Sequence, residues 1–149
     1  LNLEDLNKDH YLFVHIRRSD FLEVDMYKEL NFDDQIWIRS IVKICTIKKI
    51  EKVVIFSDSL INSFFISSLE NKGLRVLLPE RENNNISFLN LFFGYLNNGS
   101  FVLCNASSLA LSVAFLSHES IYLPSRKNDI REILINEAHT SFPINLNWN

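Results

Sequence analysis

The chain has 149 residues, 47% of them hydrophobic and 22% charged, with a formal net charge of -3. That balance fits one globular domain that folds around its own core without a metal or disulfide staple, and it excludes disordered, collagen-like and coiled-coil chains. The acidic excess argues against a general nucleic-acid binder, no apolar run reaches membrane-spanning length, and the first residues do not read as a signal peptide.

Tyr11 to Ile16 (YLFVHI) is a short run of apolar, β-branched and aromatic residues, which predicts a strand buried on both faces. A polar segment, Arg17, Arg18, Ser19 and Asp20, follows it. From Asp33 to Ile47 the residues Trp37, Ile38, Ile41, Val42 and Cys45 recur at helical spacing, with Asp33 or Asp34 at the expected start, so an amphipathic helix is predicted. Lys52 to Ser57 (KVVIFS) predicts a second strand, and Ser59 to Lys72 a second helix that Gly73 stops with a left-handed cap. Leu74 to Leu78 predicts a third strand, ended by Pro79, and Glu80 to Asn85 a solvated loop. Beyond it the pattern predicts a helix over Ile86 to Leu96, a strand over Phe101 to Cys104, a helix over Ser107 to Leu116, a strand over Ser120 to Leu123 and a last helix over Asn128 to Ala138.

Short apolar strands alternating with longer helices signal a parallel sheet built from right-handed crossovers. The expected fold is therefore α/β, a single Rossmann-like doubly wound domain over residues 1 to 149, with about five strands in the order 3-2-1-4-5 and helices on both faces. The glycines Gly73, Gly94 and Gly99 supply neither G-x-G-x-x-G nor a complete phosphate loop, since G-x-x-x-x-G-S at Gly94 to Ser100 lacks the lysine. Cys45 and Cys104 lie in apolar runs and read as small buried hydrophobes suited to a reducing compartment. The four histidines are scattered, so no zinc site is expected.

In open α/β sheets the ligand sits beyond the carboxyl ends of the strands, where strand order reverses. For the order 3-2-1-4-5 that point lies between the first and fourth strands. After the first strand come Arg17, Arg18 and Asp20, with His15 just inside its end. A guanidinium offers a planar fork of donors suited to phosphate oxygens. Alternation along an extended chain puts His15 and Arg17 on one face and Arg18 on the other, so one arginine can meet a ligand while its neighbour pairs with an internal carboxylate such as Asp20. After the fourth strand come Asn105, Ser107 and Ser108, opening a helix whose N–H groups can cap against serine and also receive a diphosphate. Asp58, after the second strand, is expected to order a loop or cap a helix. Phe64, Phe65, Phe92 and Phe93 sit at helical spacing and fit a core better than an association surface.

The run Val14-His15-Ile16-Arg17-Arg18-Ser19-Asp20-Phe21 resembles the H-x-R-R-x-D motif of the α1,2-, α1,6- and related fucosyltransferases, most of all the bacterial α1,2-fucosyltransferase family, glycosyltransferase family 11. Ile55 to Ser59 (IFSDS) is similar to that family's F-S-D-D block, and Phe101 to Leu116 to its strand followed by N-S-S-F-S-W-W-A-A-W-L. The sequence departs from these blocks at Ser59, at Ala106, and at Leu111 and Ser112, and Asn90 stands nearest to an acidic residue the family uses towards the nucleoside.

The resemblance implies a metal-independent, inverting GT-B enzyme with no cofactor, which transfers fucose from GDP-fucose to a hydroxyl of an acceptor glycan. It implies that Arg17 contacts the donor diphosphate, His15 lies near the nucleoside or diphosphate, Arg18 braces the site, and Asn105, Ser107 and Ser108 stand at the phosphate-facing helix start. Asp20, Asp58 and Asn90 would order the site. Only about ten residues precede the first strand, so the chain is expected to be the carboxyl-terminal, donor-binding half of a longer protein whose acceptor half comes first. A cytoplasmic location is expected, with peripheral attachment to a membrane as its variant. The rival expectation is a nucleotide- or phosphate-binding module without turnover.

Overall fold

Two helices and six strands account for the regular structure of the described residues, which in the computed structural model are 11–18, 31–79, 101–104, 121–124 and 131–133. In chain order these are β1 (Tyr11–Ile16), α1 (Asp34–Lys48), β2 (Lys52–Ser57), α2 (Ser63–Glu70), β3 (Arg75–Leu77), β4 (Phe101–Cys104), β5 (Ile121–Leu123) and β6 (Arg131–Ile133). The strands form one sheet in the order β3-β2-β1-β4-β5-β6. β1 pairs in parallel with β2 along its whole length, from Tyr11 opposite Lys52 to Ile16 opposite Ser57. On its other side it pairs in parallel with β4, from Leu12 opposite Phe101 to His15 opposite Cys104. The β2–β3 and β4–β5 pairs are also parallel, and only β6 runs antiparallel to its neighbour.

The α/β character and parallel pairing expected from the sequence are therefore present. The last helix is not: the backbone of Arg131–Ile133 pairs with β5 instead of coiling. Asn128 to Ala138 has apolar residues at helical spacing, but three residues laid against an open sheet edge satisfy their backbone groups there, and that tertiary pairing overrides a weak local preference. The helices predicted over 86–96 and 107–116 lie outside the described residues.

Every residue of β1 is buried. Leu12, Val14 and Ile16 join Val53 and Ile55 of β2 in one core cluster with Trp37, Ile38, Ile41, Ile44 and Cys45 of α1 and Phe65 and Leu69 of α2. Both helices thus cover the same face of the sheet, as consecutive right-handed crossovers moving in one direction require. The alternate residues Tyr11, Phe13, His15, Val54 and Phe56 point to the opposite face and are buried as well. Each large apolar side chain withdrawn from water contributes about 1.5–3 kcal/mol, so a strand covered on both faces is the anchor of the molecule.

The helix ends are set by local chemistry. Asp33 caps α1, its side chain accepting from the Ile36 N–H at 2.9 Å. α1 ends at Lys49, which takes the left-handed conformation at φ 56° and donates its N–H to the Cys45 carbonyl. α2 begins at Ser63 and not at the predicted Ser59, because Asn62 is its cap, accepting from the Phe65 N–H at 2.8 Å. The Ser59 N–H turns instead to the Ser57 hydroxyl at 3.1 Å. After α2, Gly73 donates to the Glu70 carbonyl at 2.8 Å and Leu74 to the Leu69 carbonyl at 3.3 Å, with Gly73 at φ 81°. This is the paired stop that a left-handed residue closes, and Leu69 and Leu74 meet in the core beneath it. Lys49 holds the same backbone region with a Cβ, so Lys49→Gly is expected to stabilise the fold by about 0.5–1 kcal/mol in urea unfolding. Unchanged or lower stability would show that the lysine is not strained there.

Candidate functional site

Because β1, β2 and β4 are parallel and in register, their carboxyl ends finish at one edge of the sheet, with Ile16 opposite Ser57 and His15 opposite Cys104. The chain leaving β1 is tied at once to the chain leaving β2. The Asp58 N–H donates to the Ile16 carbonyl at 3.4 Å, and the Arg18 N–H donates to Asp58 Oδ1 at 2.8 Å. Asp58 therefore orders the loop and does not cap α2, whose cap is Asn62.

The Arg18 guanidinium turns towards the helical face. Its Nη2 forms an ion pair and hydrogen bond with Asp34 Oδ1 in the first turn of α1. The internal carboxylate that engages this arginine is thus Asp34; Asp20, the partner suggested by the sequence, lies outside the described residues. The second oxygen of Asp34 accepts from Asn62 Nδ2 at 2.9 Å. Arg18 Nε is buried and has no hydrogen-bond partner among the described residues.

His15 is 6% exposed, on the sheet face opposite the two helices. Burial above all pushes its pKa from 6.5 down to about 4; the Asp58 carboxylate opposes this, and the nearby Arg17 charge adds a smaller push downward. His15 is consequently neutral near pH 7, with one ring nitrogen to donate and one to accept. Arg17 is half-buried beside it. The edge thus holds a neutral imidazole, the Arg17 guanidinium and the Asp58 carboxylate, drawn from two adjacent strand ends, while the Arg18 guanidinium is committed to Asp34. Such a set can orient an anionic oxygen ligand and stabilise charge that develops on it.

The depressed pKa of His15 has a consequence for stability. Between about pH 6.5 and pH 4 the unfolded chain takes up a proton on His15 that the folded chain refuses, so stability present above the unfolded pKa is lost as pH falls through that window. The contribution is on the order of 3 kcal/mol. Urea unfolding of wild type and His15→Gln at pH 7 and pH 4.5 is expected to show a shallower acid loss in the variant; identical losses would contradict the placement of a neutral, buried imidazole.

Of the residues singled out in the sequence, His15, Arg17, Arg18 and Asp58 come together at this edge. Asp20, Asn90, Asn105, Ser107 and Ser108 lie outside the described residues. Asp34 and Asn62 are the additions that sequence reasoning did not supply. The adjacent acids Asp33 and Asp34 were the available signal, since one helix start needs one cap and the other acid is left for another role. Among the phenylalanines, Phe65 is in the core and Phe64 is 58% exposed, while Phe92 and Phe93 are outside the described residues. Cys45 is buried, and burial pushes its thiol up to about 12, so it is not a nucleophile at neutral pH. Among the described residues no group of three His, Cys, Asp or Glu side chains is placed to hold a metal ion, and no helix is long and apolar enough to cross a membrane. No family model matches the chain, and no curated protein matches it.

Proposed function

We propose that this chain is the donor-binding half of a fucosyltransferase-like glycosyltransferase, binding GDP-fucose or a related nucleotide sugar at the carboxyl end of β1. The observation that carries this reading is the location of His15, Arg17 and Arg18 at the carboxyl end of β1, beside β4, where the strand order reverses. Ligands of doubly wound α/β domains sit at such a reversal of strand order, and the H-x-R-R-x-D resemblance supplies the chemistry. The order of the first five strands and the two crossover helices on one face support a Rossmann-like domain of that kind.

In this reading Arg17 grips the diphosphate through two parallel N–H bonds and stabilises the charge that accumulates as the sugar departs. Neutral His15 orients a donor oxygen without adding a fixed charge. Asp58 orders the loop, and the resemblance would assign Asp20 to the same task, Asn105, Ser107 and Ser108 to the phosphates and Asn90 to the nucleoside. An acceptor glycan and an acceptor-binding half complete the reaction, so this chain by itself binds nucleotide weakly and transfers nothing. No metal is invoked, in line with the resemblance.

A second reading, a nucleotide- or phosphate-binding module without turnover, is favoured by the departures at Ser59, Ala106, Leu111 and Ser112. The two part on selectivity. Thermal unfolding with GDP, UDP, ADP and pyrophosphate tests both, since a ligand at a hundred times its dissociation constant adds about 2.7 kcal/mol of stability. A donor domain is stabilised most by GDP. Equal stabilisation by pyrophosphate and all three nucleotides would favour the module, and none by any of them would remove both.

A further inference from the structure

We propose that Asp34 and Asn62 are positioning residues for the arginine pair, forming with Arg18 a clamp that fixes the segment leaving β1; their bearing on ligand affinity rests on the donor-site reading above. Three separate elements meet in the clamp: the first turn of α1, the cap of α2 and the residues after β1. Asp34 is not needed as a cap, because Asp33 already accepts from Ile36 N–H. Its two oxygens are divided between Arg18 Nη2 and Asn62 Nδ2. Asn62 is likewise used at both ends, its Oδ1 capping α2 and its Nδ2 reaching Asp34, which fixes the orientation of the amide.

Arg18 is held at both ends too, by Asp58 through its backbone N–H and by Asp34 through its guanidinium. Its Nε has no accessible surface, so a ligand oxygen does not reach that atom in this arrangement. The Arg18 and Asp34 side chains are 19% and 25% exposed, shielded enough for the pair to hold a geometry that a fully exposed pair would lose to solvent. One peptide bond joins Arg17 to Arg18. Anchoring Arg18 towards the helices therefore sets the direction in which Arg17 leaves the strand. Arg18 and its two partners act through Arg17 and not on the ligand.

The test is amide hydrogen exchange by NMR on wild type, Asp34→Asn, Asp34→Glu and Asn62→Ser, with GDP affinity measured beside it. Serine keeps a capping oxygen for α2 and removes only the donor to Asp34, so this variant retains the fold. Exchange of the Arg18 amide is expected to quicken about tenfold in Asp34→Asn and several-fold in Asn62→Ser, while that of Ile55 in β2 stays as in wild type. Asp34→Glu, which keeps the charge, is expected to recover part of the protection and of the GDP affinity that Asp34→Asn loses. Unchanged Arg18 protection in both Asp34→Asn and Asn62→Ser, or equal losses in Asp34→Asn and Asp34→Glu, would overturn the clamp. Wild type that binds no GDP would overturn the donor-site reading alone, with the clamp still decided by the exchange rates.

Discussion

Arg17→Lys is expected to weaken GDP binding about tenfold or more in calorimetric titration while leaving the thermal midpoint of the unliganded protein near that of wild type. The variant keeps the positive charge, so a purely Coulombic site would tolerate it. An ammonium cannot reproduce the planar fork of a guanidinium, and losing one charge-assisted bond in a partly shielded site costs on the order of 1.5–3 kcal/mol. Arg18→Lys is expected to behave in the opposite way. Its guanidinium is committed to Asp34 on the helical side, so the substitution lowers the thermal midpoint more than it lowers affinity at a temperature where the fold survives. Equal affinity losses would mean that both arginines meet the phosphates. Unchanged affinity in both would leave the pair as a structural charge cluster.

Trp37→Ala is expected to be the most damaging core substitution, costing about 3–5 kcal/mol in urea unfolding. Trp37 has no exposed surface, belongs to the cluster that joins α1 to β1 and β2, and meets Phe32 edge-on with ring centroids 6.1 Å apart. Truncation removes its burial, the aromatic contact and the fit between helix and sheet together, and a loss of this size is a large part of the 5–15 kcal/mol that folds typical domains. Phe64→Ser, at an exposed position of α2, is the control and is expected to stay within about 0.5 kcal/mol of wild type. A Trp37→Ala loss below about 1 kcal/mol would place that side chain outside the core.

Some of this architecture is legible in the residues because several levels agree. Tyr11 to Ile16 reads as a strand buried on both faces because His15 is the one strongly polar residue in it, and that side chain is buried too. α1 is legible because a capping aspartate, a stripe of apolar residues and a basic last turn coincide. Where one local signal stands alone the reading drifts. Ser59 resembles a helix start, yet Asn62 takes the cap, since a serine one residue beyond Asp58 is drawn into a turn with Ser57. Arg131 to Ile133 carries a helical pattern and becomes an edge strand, because which backbone groups find partners at a sheet edge is decided by the tertiary structure.

The candidate site divides along the same line. The arginines and His15 are legible because charge at the end of a buried strand is conspicuous. Alternation also predicts a separation of the two arginines, and Arg18 is bonded on the helical side while the charge of Arg17 acts on His15, which faces away from the helices. What holds Arg18 is not legible. Asp34 is sixteen residues away and Asn62 twenty-eight beyond that, and nothing short of the crossover geometry brings them together. The sequence offers Asp20 as one such internal carboxylate; among the described residues the partner of Arg18 is Asp34, and Asp20 lies outside them.

The most direct test of the donor-site reading is a titration of isotopically labelled wild-type protein with GDP, followed through backbone amide shifts. The residues at the carboxyl end of the parallel strands, His15, Arg17, Arg18 and Asp58, are expected to shift together in a saturable way, with little change at Tyr11, Lys52 and Arg75 at the opposite end of the sheet. Saturable shifts confined to that opposite end, or no shifts at GDP concentrations in the millimolar range, would contradict it.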